Sequence, residues 1–299
     1  MINKIDLIHK KFFISLSTVC ILFSYFFSGS ISINGIQTYL LFFFVSIIGI
    51  PHGFFDFSIG RKIFKKFTTK WFIYFSLSYI LILLIYLVAW VYAPGISLLF
   101  FLLLAAYHFG YEDNNYLFEK KNIYIYLNIF IKGIIIVFTP IIFHFEQVSE
   151  LFSLLINSPV KNIEFTMTQK MLFITLSVFH ILLERNRNYL FKIEALICFC
   201  NFIILPPLIS FTIYFCFLHS IRHFIESIYI SNLVPNNFTI KKFLVTIILF
   251  SLVISFLFTI LLSNYLKITV YDAIIKYVFI SLACLTLPHM IFNMIPYKK

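Results

Sequence analysis

The chain has 299 residues, of which 61% are hydrophobic, 20% aromatic and only 12% charged, and its net charge is +11. Soluble domains carry about 25% charged residues. Half that charge cannot cover a water-soluble globule, and so apolar a chain is not disordered. The composition predicts an integral membrane protein of one domain, 1–299, with room for at most about 10 spans.

Residues 12–55 contain no Asp, Glu, Lys or Arg and have a polar break around 28–37, which predicts two spans. A basic loop follows with Arg61, Lys62, Lys65, Lys66 and Lys70. Residues 71–111 are again free of these charges and break at Ala93-Pro94-Gly95, giving two more spans. A polar loop, 112–122, precedes a fifth span that ends near Phe145, and the mixed stretch 147–169 is expected outside the bilayer. Two weaker spans are read at 171–183 and 193–208. An eighth, 209–230, carries Arg222 and Glu226, and further spans are read at 243–266 and 277–295. The expected fold class is an all-α polytopic membrane protein, a bundle of about 8 to 10 transmembrane helices.

Basic residues flanking spans tend to stay cytoplasmic. Lys4, Lys10 and Lys11 place the N-terminus inside. Alternation then places the Arg61–Lys70 loop, Lys120 and Lys121, Arg185 and Arg187, Lys241 and Lys242, and Lys298 and Lys299 on the same side. Both termini are expected in the cytoplasm, and the first apolar run is read as a retained span of a cell-membrane protein. This loop placement accounts for the positive charge without a nucleic-acid partner. The five cysteines all fall in apolar stretches and are read as buried free thiols.

Ionisable side chains at membrane depth are costly and point to function. His52, His108, His219, His223 and His289 all lie on even-numbered spans, toward the inner side. His52 and His223 come out about 9 and 10 Å from the inner ends of their spans at 1.5 Å per residue. His219 and His223, four apart, share a helix face. Imidazoles converging from several helices at one depth make a metal site the leading reading. His9, His144 and His180 are read as interfacial or hydrogen-bonded residues.

Imidazole suits Fe, Cu, Zn and Ni alike. Ser220 follows His219 where a zinc peptidase has Glu, and no adjacent His-His pair of the desaturase kind occurs. A mononuclear all-His site leaves up to two octahedral positions open. A haem- or metal-binding membrane redox protein and a transporter without catalysis stay open as alternatives. Asp56, four residues after His52, is expected to accept a hydrogen bond from a metal-bound imidazole. Asp113 and Glu226 are further candidates for that role, and Glu226 can instead pair with Arg222 on its own helix. Lys132 lies mid-span with no partner evident from sequence. Gly53 and Gly110, with Pro51 and Pro288, predict bent and closely packed helix ends.

Four strings carry a resemblance: Pro51-His52-Gly53-x-x-Asp56, His108-Phe109-Gly110-x-x-Asp113, His219-Ser220-x-Arg222-His223 and Leu287-Pro288-His289. In these and in their order, the sequence resembles the Brp/Blh family, membrane proteins similar to bacterial and archaeal β-carotene 15,15′-dioxygenases. The resemblance implies cleavage of β-carotene at its central double bond by O2 and Fe(II), giving two all-trans-retinal. It implies His52, His108, His219 and His223 as iron ligands, with His289 nearby in another role. It also implies an apolar polyene drawn from membrane lipid, and a functional link to a rhodopsin.

Overall fold

The computed structural model describes residues 2–27, 34–51, 53, 56–114, 123–184, 189–230 and 237–294. His52 lies outside this set, as do the side chains of Asp113 and Glu226. Every regular element named here is helical. In chain order these are α1 (Ile2–Phe27), α2 (Asn34–Phe44) continuing into a π-helical segment (Val45–Gly49), α3 (Asp56–Phe64), α4 (Trp71–Tyr92), α5 (Pro94–Asn114), α6 (Ile123–Phe143) and α7 (Phe145–Ile156). They continue with α8 (Met167–Leu183), α9 (Tyr189–Ile204), α10 (Pro207–Thr212), a second π-helical segment (Ile213–Ser220), α11 (Ile221–Ile230), α12 (Asn237–Leu266) and α13 (Val270–Met294).

Among the described residues seven helices are long and apolar enough to cross a membrane, and Gly35–Gly49 and Met167–Leu183 are shorter apolar helices. Of the eight to ten spans expected, seven are thus of spanning length, and the second and the one read at 171–183 are the shorter apolar helices. The chain is an all-α, multi-pass membrane protein. The outer faces fit that setting: α4 buries Phe75, Tyr86 and Trp90 and leaves Leu77, Leu84 and Val88 exposed. The stretch expected outside the bilayer holds most of α7, an irregular segment, and the start of α8, where Thr166 and Gln169 form a reciprocal capping box.

The chain divides into two compact units. The first comprises 1–41, 106–153 and 159–222. Here α1 packs on α9, tied by a buried hydrogen bond from Asn201 Nδ2 to Ser17 Oγ of 2.8 Å. The end of α5 meets α6 at two glycines: a Cβ on Gly110 would stand 1.9 Å from the Ile129 carbonyl oxygen, and one on Gly133 1.6 Å from that of Ala106. No residue but glycine fits either place. Two buried ion pairs cross between helices, Lys132–Glu184 and Arg222–Glu194, each 2.5 Å. Lys132 thus has a carboxylate partner, and its ammonium also sits 4.9 Å from the Phe191 ring centre. Arg222 reaches Glu194 on α9, and the expected pairing with Glu226 concerns a side chain outside the described set. A charge this deep is held by a partner buried with it.

The second unit comprises 42–105, 154–158 and 223–299. Its α13 packs against α3, α4 and α12. Ile59, Phe75 and Phe292 form a core cluster, with the Tyr79 ring stacked on Phe292 at 6.0 Å. Lys276 donates to the Leu154 carbonyl and, at 2.7 Å, to Asn157 Oδ1. Asn157 takes the left-handed conformation, φ 55°, that commonly ends a helix. All five cysteines are free; three are buried, but Cys200 faces outward from α9, contrary to the expectation of burial.

Candidate functional site

In the first unit His108, near the end of α5, and His219, in the last turn of the second π-helical segment, are both buried. Their ring centres stand 4.9 Å apart with the planes at 76°, edge to face. Phe109 meets His219 edge-on at 5.0 Å and Phe215 stacks on it at 5.7 Å. π-Helical turns are rare and concentrate at functional sites. Their wider turn changes the direction in which a side chain leaves the helix.

In the second unit His223 and His289 form a similar edge-to-face pair, with centres 5.0 Å apart and planes at 70°. Pro288, inside α13, removes a helix hydrogen bond beside His289. His289 Nδ1–H donates to Asp56, 2.8 Å from Oδ1 and 2.9 Å from Oδ2. The Tyr79 hydroxyl donates to Asp56 Oδ2 at 2.9 Å, and Asn293 Nδ2 donates to the His289 carbonyl at 2.9 Å. Asp56 is only 2% exposed, so its charge depends on these donors. The bond to Asp56 fixes the His289 ring and, in the neutral form, leaves the lone pair on Nε2, as in carboxylate–histidine–metal triads. A cavity of about 290 Å³ adjoins His289, lined also by Asp56, Tyr79 and Thr286 together with apolar side chains such as Phe57 and Phe75.

The expected imidazole partner of Asp56 was set by its spacing from His52. α3 begins at Asp56, and the expected pairing of Asp56 with His52 falls outside the described residues. The described partner is His289, 233 residues away. His219 and His223 lie four apart along the helical run 207–230, and the division between the units falls between them. Among the described residues no three His, Cys, Asp or Glu are grouped closely enough to hold a metal ion, and His52 is not among those residues. The donor chemistry nevertheless suits a transition metal: each unit holds a close pair of buried imidazoles, and in the second a carboxylate fixes the ring of His289. Sequence reasoning missed Tyr79 and Asn293. The second, four residues beyond His289, could have been found from helical spacing.

The family model for β-carotene 15,15′-dioxygenase matches residues 43–295, which contain all four strings. The chain belongs to the β-carotene 15,15′-dioxygenase family. A relative from uncultured marine bacterium 66A03, named beta-carotene 15,15′-dioxygenase, is 31% identical over 257 residues, covering 83% of this chain and 89% of its own. No solved structure matches. As a member of this family of carotenoid-cleaving oxygenases, the chain is an enzyme.

Proposed function

We propose that the chain cleaves β-carotene at its 15,15′ double bond with O2, giving two all-trans-retinal. The observation that carries this reading is the family match across 43–295, which takes in every buried histidine just described and His52. The reaction balances without another reductant, because one O2 supplies one oxygen to each aldehyde. We assign His52, His108, His219 and His223 as the residues that would hold Fe(II). Bound there, iron would supply the one-electron reactivity that lets O2 attack an alkene.

The protein's own part is positioning. His108 and His219 are held in fixed relative orientation by the Phe109 and Phe215 rings. Asp56, Tyr79 and Asn293 fix His289 beside His223, and we assign His289 a role next to the ligands. Apolar, aromatic walls with few polar groups suit a polyene, which can pass laterally from membrane lipid without crossing water. They also keep bulk water from the reacting carbons. No side chain need act as nucleophile or general acid. Both termini face the cytoplasm, by the distribution of Lys and Arg, and the retinal formed would be available to a rhodopsin in the same cell membrane. The test is expression in bacteria that accumulate β-carotene. Loss of orange colour with retinal in the extract supports the proposal. Unchanged colour with the full-length, iron-loaded protein present in the membrane refutes it.

A further inference from the structure

Both π-helical segments adjoin a histidine assigned above to iron: Val45–Gly49 runs into Pro51-His52, and Ile213–Ser220 contains His219. A π turn bonds each N–H five residues back rather than four. Where the chain returns to α spacing, one carbonyl is passed over. In the first segment the Ile50 N–H bonds Val45 O at 2.7 Å, in π spacing. The next donor in that spacing would be Pro51, which has no N–H. The Ser46 carbonyl instead accepts from Ser251 Oγ of α12 at 2.7 Å. In the second segment the Ile221 N–H, which an α-helix would direct at Phe217 O, points to Leu218 O. His9 of α1, 6% exposed, donates from Nε2 to Phe217 O at 2.8 Å. Each π segment is thus tied at a carbonyl by a side chain more than 200 residues distant in sequence.

We infer that His9 and Ser251 are positioning residues that hold the π-helical register, His9 thereby aiming His219 and Ser251 setting how the chain leaves Gly49 toward Pro51. The inference rests on the assignment to iron of His219 and of His52, which follows Pro51 in the sequence. Its physical basis is the size of a register change. Reverting from π to α moves the following residues by one position, about 100° around the axis and 1.5 Å along it. No rotamer change recovers an imidazole displaced so far. A carbonyl tied to a neighbouring helix opposes that reversion, because the α register turns and shifts the carbonyl and so strains the bond from the buried His9 N–H or Ser251 hydroxyl.

The test uses the purified full chain in detergent with Co(II) as the probe, reading affinity and the visible d–d bands. His9→Leu is expected to weaken Co(II) binding roughly 10–100-fold, as for loss of a partner that orients a ligand, and to shift the bands. His9→Gln can donate an amide N–H to the same carbonyl and should restore both. Ser251→Ala should weaken binding and Ser251→Thr restore it. A residue that only packs would lower the melting temperature and leave the bands unchanged. His219→Ala separates the two levels of the argument. If it loses Co(II) while His9→Leu and Ser251→Ala bind with parent affinity and bands, the inference fails and the ligand assignment stands. If His219→Ala binds as the parent does, the ligand assignment fails and the inference with it. Should His9→Leu not fold, the smaller Ser251→Ala change decides alone. Loss of binding that His9→Gln and Ser251→Thr both fail to restore also overturns the inference.

Discussion

The contact of the α5 end with α6 leaves room for glycine alone, and enlarging either glycine should disturb the histidine pair directly. A Cβ at Gly110 would lie 1.9 Å from the Ile129 carbonyl oxygen, against a closest approach of 3.0 Å for real Cβ atoms, so the backbones must part by at least about 1.1 Å. Gly133→Ala demands about 1.4 Å at Ala106 O. The obstructing atoms are backbone, so no side-chain rotation relieves either clash. Overpacking of this kind costs about 1–3 kcal/mol and sometimes more, and each kcal/mol lowers Tm by roughly 2–4 °C in a chain of this size class. His108 is two residues before Gly110 and must shift with it, while His219 sits on a different helix. Thermal denaturation in detergent and metal content per chain should both be measured. Gly110→Ala is expected to lower both, and Gly133→Ala to lower Tm at least as much. Two alanine variants with the parent Tm and full metal content would refute the close approach on which the reasoning depends.

Asp56→Asn keeps the size and one acceptor but removes the charge facing His289. It should hold iron more weakly and slow cleavage roughly 10–100-fold, with Asp56→Ala worse; a folded Asp56→Ala protein that keeps iron through chelator washes at the parent rate would return Asp56 to an ordinary buried charge. Glu194→Ala removes the described carboxylate partner of the buried Arg222 and should destabilise by up to about 3–5 kcal/mol, whereas replacing both partners with apolar residues should cost far less; equal melting temperatures for the single and double variants would count against a buried pair. Reporter fusions should place both termini in the cytoplasm, and opposite sides would require an odd number of spans.

The long apolar runs made the spans readable, because a span needs only length and lack of charge. The helices that fell short of it, α2 with its π extension and α8, are those whose runs are interrupted or brief. His108, His219, His223 and His289 stood out because an imidazole in an apolar run is conspicuous. Their partners did not. Local spacing ties Asp56 to His52, and only the folded chain brings it to His289. Lys132 and Glu184 are 52 residues apart, with Glu184 just past the end of a short helix, and nothing in either segment indicates the pairing. π Segments leave no trace in a uniformly apolar stretch, since there is no polar stripe whose period could be seen to change. His9 read as an interfacial or hydrogen-bonded residue, and its ring does hydrogen-bond, to the helix that carries His219, but the sequence does not give that partner.

The central claim is symmetric cleavage by iron held on histidines, and product stoichiometry of the purified protein tests it most directly. Incubated with β-carotene and O2, the iron-loaded chain should form two retinal molecules per carotene consumed and no longer or shorter apocarotenals. The same protein stripped by chelator should form none until Fe(II) is restored. Retinal formation unaffected by complete metal removal, or a product mixture dominated by unequal fragments, would contradict the account.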